Sequence, residues 1–114
     1  MPATDPQPAS TGADWGKASE WHWMNLSCHW RVLGAANDPA IVLIHGFGAS
    51  SSHWRHNAGA LVKAGFQVFS LDLIGFGRSG QPGLSRRFSL DNRLWAEQLA
   101  AFLEEIVQRP AVIV

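Results

Sequence analysis

The chain has 114 residues, 46% of them hydrophobic, which supplies one small packed domain and is too apolar for a disordered chain. Nine basic residues balance nine acidic ones, which excludes the electrostatic footprint of a nucleic-acid or membrane-surface binder, and the longest apolar runs, Ala40 to Ile44 and Leu99 to Leu103, are far too short to span a bilayer. One cysteine, Cys28, excludes an internal disulfide framework, no His/Cys grouping has structural-zinc spacing, no metal or cofactor is implied, and a reducing, cytoplasmic setting is expected.

Residues 1–18 are rich in Pro, Ala, Ser, Thr and Gly and carry no basic-then-apolar leader pattern, so they are expected to form a disordered arm before a folded unit at 19–114. From Glu20 to Gly34 the residues alternate in part, with Trp21 and Trp23 on one face and Cys28, Trp30 and Val32 on another, split by Asn25, Leu26 and Ser27. This pattern predicts an antiparallel strand pair in which His22 and His29 are ordinary strand residues. Ala35 to Pro39 is a turn-prone connector. The continuous run Ala40 to Ile44 predicts a strand buried on both faces, ended by His45-Gly46-Phe47-Gly48. Ser51 or Ser52 is expected to cap a helix through Trp54, Ala58, Leu61 and Val62, with Lys63 near its negative end and Gly65 as its stop.

Phe66 to Asp72 reads as a second buried strand, and Leu73 to Ser85 as a loop carrying Gly75, Gly77, Gly80, Pro82 and Gly83. A second helix is expected from Ser89 as N-cap, with Asp91 in its first turn and the stripe Trp95, Leu99, Phe102, Leu103 and Ile106, to about Gln108. Pro110 to Val114 opens a third buried-type strand. Strand, helix, strand, helix, strand makes two consecutive βαβ units and an α/β class with a parallel sheet covered by helices.

Two short motifs need to be excluded. Gly75-Phe76-Gly77-Arg78-Ser79-Gly80 fits the dinucleotide fingerprint G-x-G-x-x-G, but its last glycine does not open a helix, since Gln81-Pro82-Gly83 prolongs the loop. His53 and His56 lack a carboxylate or third ligand and read as solvated or capping residues. A nucleophile elbow, G-x-S-x-G, does not occur; the nearest string, Gly77-Arg78-Ser79-Gly80-Gln81, has its glycine one place early and follows the wrong strand.

Strand-His45-Gly46-Phe47-Gly48-Ala49-Ser50, then His53-Trp54, then strand-Asp72-Leu73-Ile74-Gly75-Phe76-Gly77-Arg78-Ser79 resembles the N-terminal half of the α/β-hydrolase superfamily over about residues 20–114. The resemblance implies a sheet ordered 1-2-4-3-5, with the backbone N–H of Phe47 as an oxyanion-hole donor and Gly46 and Gly48 shaping its turn. It implies that His45 holds this loop instead of acting as general base, and that Asp72, Gly75, Gly77, Arg78 and Ser79 shape the loop after the second parallel strand. The nucleophile would follow the strand ending at Val114, so these residues alone are expected to be inactive. The whole protein is expected to be a serine hydrolase acting on carboxylic esters or related acyl bonds of a small, apolar molecule. An aspartate nucleophile would instead imply epoxide-hydrolase or haloalkane-dehalogenase chemistry, and a non-enzymatic interaction piece is the reading from a different class.

Overall fold

Met24 and Asn25 both have positive φ, 52° and 62°, the geometry of a two-residue hairpin turn. They join strand β1 (Lys17–Trp23) to β2 (Leu26–Leu33) in the computed structural model, which describes residues 15–46, 49–80 and 91–114. Because this turn pairs Trp23 with Leu26 and Trp21 with Cys28, both tryptophans lie on the same sheet face as Cys28, Trp30 and Val32. The expected separation onto two faces is thereby corrected: directly opposed residues of an antiparallel pair share a face.

Strands β3 (Ala40–Ile44), β4 (Gln67–Leu71) and β5 (Ala111–Ile113) complete a sheet in the order β1-β2-β4-β3-β5. β3 runs parallel to β4 and β5, as the sequence implied, and β2 runs antiparallel to β4. Along β3 the four residues Ala40 to Leu43 are buried, and they split by parity: Ala40 and Val42 face one core, Ile41 and Leu43 the other. Val112 and Ile113 of β5 and Val114 just after it are exposed, which corrects the buried-type strand expected there.

The first core lies under helix α2 (Asn92–Phe102). Phe102 is fully buried, with its ring centroid 5.8 Å from those of Trp21 and Trp30 and 6.3 Å from that of Phe69. Asp91, not Ser89, caps this helix, its carboxylate accepting from the N–H of Leu94 at 3.0 Å; Ser89 lies outside the described residues. The deepest line along α2 is Leu94, Gln98 and Phe102, while Trp95, Leu99, Leu103 and Ile106 pack at its margin. A π-helical turn at Leu103–Val107 ends on Gln108 in the left-handed region.

The second core holds Trp15, Ile41, Leu43, Ala58 and Val68 beneath helix α1 (Ala58–Lys63), which stops at Gly65 with φ +99°. The single helix expected after Ser51 is broken in two, a 3-10 turn at Ser51–Trp54 and then α1. Through this stretch the N–H groups bond three residues back, His53 to Ser50, Arg55 to Ser52 and Asn57 to Trp54, while the Ser51 carbonyl accepts the Trp15 indole N–H at 2.9 Å. Order also starts earlier than Ser19, since Trp15 is fully buried and β1 begins at Lys17. The remainder of the expected arm, residues 1–14, lies outside the described residues.

Candidate active site

Parallel pairing of Ile44 with Leu71 brings the ends of β3 and β4 level, so His45 and Asp72 leave the sheet side by side. His45 is buried, and its Nε2 accepts the N–H of Leu73 at 3.0 Å. That fixes the ring proton on Nδ1, which donates to the Gly46 carbonyl at 2.8 Å. The same carbonyl accepts the N–H of Ala49 at 3.1 Å and so closes a turn from Gly46 to Ala49. Phe47 and Gly48 are the second and third residues of this turn and lie outside the described residues. With both ring nitrogens engaged, His45 ties the turn to the loop after β4 and has no nitrogen left to accept a substrate proton. A Cβ placed on Gly46 meets nothing within 4 Å, so this chain imposes no steric demand for glycine there.

Downstream the turn enters the 3-10 helix through Ser50, whose Oγ accepts the N–H of Ser52 at 3.3 Å. The N–H of Ser51 donates to Asp72 Oδ1, and the N–H of Arg78 donates to Asp72 Oδ2 at 2.9 Å. The Asp72 carbonyl accepts the Ser79 hydroxyl and, at 3.2 Å, the Gln98 amide; the Asp72 N–H donates to the His29 carbonyl at 2.9 Å. Ser79 Oγ in turn accepts the N–H of His29 at 2.9 Å. Gly75 and Gly77 both have positive φ, and a Cβ on Gly77 would lie 2.5 Å from Asp72 Oδ2, so only glycine lets the loop wrap this carboxylate. Asp72, Gly75, Gly77, Arg78 and Ser79 thus converge on one loop whose hub is Asp72.

Gln98 is a member of this hub that the sequence pattern hides. It is fully buried on α2, and its Oε1 accepts the N–H of Ile74 at 2.9 Å, while the Trp95 indole donates to the Ile74 carbonyl at 2.9 Å. The signal that identifies it is its place midway between Leu94 and Phe102, four residues from each, where a polar side chain must serve a buried backbone group. The Phe76 ring meets His45 edge to face at a centroid separation of 5.7 Å and Trp95 at a 46° tilt at 5.6 Å. With Ile44 and Leu99 they line an apolar cleft of about 310 Å³ beside the turn.

His53 and His56 are exposed, and the His53 ring stands against Trp54 at 4.9 Å. Among the described residues no three His, Cys, Asp or Glu side chains come together as metal ligands, and no helix is long and apolar enough to cross a membrane.

His29, placed by the sequence as an ordinary strand residue, is buried on β2 beside this hub, with no hydrogen-bond partner for Nε2. Burial pushes its imidazole below the usual histidine range; Asp72 and Glu20 oppose the shift, and Arg31 and Arg78 add to it. Below about pH 6.5 the unfolded chain therefore binds a proton that the folded chain refuses, and stability falls as the pH drops from there toward the folded-state value. Urea unfolding between pH 7.5 and 5 is expected to show a flat region above about 6.5 and a progressive loss of stability below it. His29→Gln removes that slope; an unchanged slope in the variant assigns the loss to another group.

Residues 39–114 match the family model described as alpha/beta hydrolase fold. The chain is similar to bifunctional epoxide hydrolase 2 of Rattus norvegicus, 36% identical over 89 residues that make up 78% of this chain and 15% of that protein. It is also similar to the pimeloyl-[acyl-carrier protein] methyl ester esterase of Vibrio cholerae, 36% identical over 85 residues, 75% of this chain and 26% of the esterase. Among solved structures, a haloalkane dehalogenase of Agrobacterium tumefaciens superposes with a TM-score of 0.74 at 27% identity, over 95% of this chain and 34% of the dehalogenase. The chain therefore spans well under half the length of these relatives.

Proposed function

Because the chain belongs to the α/β hydrolase fold family, we propose that it carries the oxyanion-stabilising part of an active site that hydrolyses carboxylic esters or related acyl bonds of small apolar molecules. The observation that carries this reading is the double anchorage of the turn from Gly46 to Ala49, upstream through His45 to Leu73 and downstream through Ser51 to Asp72. A turn fixed at both ends presents its N–H groups without reorganisation when negative charge develops on a substrate oxygen. In this proposal the Phe47 N–H meets that oxyanion. A serine, a histidine base and an acid supplied by residues outside these 114 perform the attack, accept the serine proton and return it to the leaving alcohol. Cys28, whose thiol burial pushes up to about 11, is an inert thiol in keeping with the reducing, cytoplasmic setting proposed with this activity.

The names of the relatives favour a second reading in which the nucleophile is an aspartate. Its carboxylate would attack the carbon of an epoxide or haloalkane, breaking the C–O or C–halogen bond and leaving an ester on the enzyme. Hydrolysis of that ester passes through the same kind of oxyanion, so the turn serves both chemistries.

Incubating the full-length protein with p-nitrophenyl butyrate, styrene oxide and 1-bromobutane separates them. Release of p-nitrophenol with the other two untouched is the expected result, diol or alcohol formation selects the aspartate reading, and no turnover of any of the three overturns the proposal. The 114 residues alone are expected to turn over none of them.

A further inference from the structure

We propose that Trp15 and Arg31 are positioning residues for the turn from Gly46 to Ala49, acting through Ser51. Its catalytic consequence rests on the hydrolase reading above; its structural part rests on geometry alone. Gly16 has φ +65°, and a Cβ there would lie 2.7 Å from the Val32 carbonyl oxygen. The chain can press against β2 only at a glycine, and that close approach delivers the Trp15 ring to the face opposite the tryptophan cluster. Packing against Ile41, Leu43 and Ala58 explains an apolar ring at this place but not an indole. The indole is explained by its N–H, which donates to the Ser51 carbonyl at 2.9 Å.

Arg31 is almost completely buried, a costly place for a guanidinium. Its Nε donates to Ser51 Oγ at 3.2 Å, and its terminal nitrogen donates to the Trp15 carbonyl at 3.0 Å, so one planar group ties both residues together. Ser51 is consequently held at all three of its polar positions, the N–H by Asp72, the carbonyl by Trp15 and the hydroxyl by Arg31. It stands two residues beyond Ala49, whose N–H closes the turn on Gly46. A serine locked in this way sets the tilt of the turn, and donors in an oxyanion site must be aimed to within about half an ångström. A segment that precedes the first strand therefore controls the geometry of a turn that follows the third.

Trp15→Phe keeps the ring and deletes the donor; Arg31→Lys keeps the charge and loses the fork that reaches two acceptors. In the full-length protein each is expected to speed amide hydrogen exchange at Ala49 and Ser51 by about tenfold and to lower kcat for p-nitrophenyl butyrate by about tenfold with KM unchanged. Exchange in the central strands β3 and β4 stays as in the parent protein. A variant that loses thermal stability while exchange at Ala49 and Ser51 moves only in step with the strands overturns the inference, as does one that changes neither. A parent protein with no esterase activity defeats the hydrolase reading alone, and the exchange comparison still decides this one. Should Arg31→Lys fail to fold, Trp15→Phe carries the test.

Discussion

Replacing Phe47 by proline in the full-length protein is expected to lower kcat for ester hydrolysis by about 10²- to 10³-fold, the usual loss when one oxyanion donor is removed. Proline deletes the backbone N–H. The turn is closed by the Ala49 N–H on the Gly46 carbonyl, so no closing bond needs the residue 47 donor. Proline is also favoured at the second position of the common turn types. Because the oxyanion exists only at the transition state, KM is expected to stay within about twofold. Phe47→Ala separates the ring from the backbone: it keeps the N–H, so its kcat is expected to stay within about threefold of the parent. A proline variant that folds and retains kcat within about threefold removes the donor role from Phe47.

Much of this arrangement is legible in the residues. Ala40 to Ile44 is apolar without a break, the pattern of a strand covered on both sides, while the order in which the strands pair was implied by the family resemblance of the His45 and Asp72 motifs. The same resemblance grouped Asp72, Gly75, Gly77, Arg78 and Ser79 on one loop, and the structure supplies the physical reason for its glycines in the positive φ of Gly75 and Gly77 and the contact of Gly77 with Asp72. What stays hidden depends on contacts between distant parts of the chain. Trp15 stands alone in a Pro- and Gly-rich stretch, and nothing local shows that its indole reaches Ser51, 36 residues away. Gln98 is polar on the most buried line of α2, and binary patterning discards such a residue although it satisfies the Ile74 N–H.

The stability of the site is expected to fail most sharply at Asp72. Asp72→Ala leaves the N–H groups of Ser51 and Arg78 without acceptors at the junction of β4, the 3-10 turn and the following loop, a loss of about 4 kcal/mol in urea unfolding. Asp72→Asn restores one acceptor but sets an NH₂ against the other N–H, so about 2 kcal/mol is lost. Gly77 makes this hub testable as a unit. In the parent protein, Gly77→Ala drives a Cβ to 2.5 Å from Asp72 Oδ2 and 2.6 Å from its Cγ, displacing the carboxylate from the donors it serves. Once the carboxylate has gone, that clash goes too, and the alanine meets only the backbone strain of φ +54° and the close Ser50 Cβ. The two substitutions are therefore expected to be strongly non-additive, the double variant being more stable than the sum of the single losses by about 1–3 kcal/mol. Additive losses would mean that Gly77 is required for its own backbone conformation and its contact with Ser50, and that the loop does not owe its path to the carboxylate it surrounds.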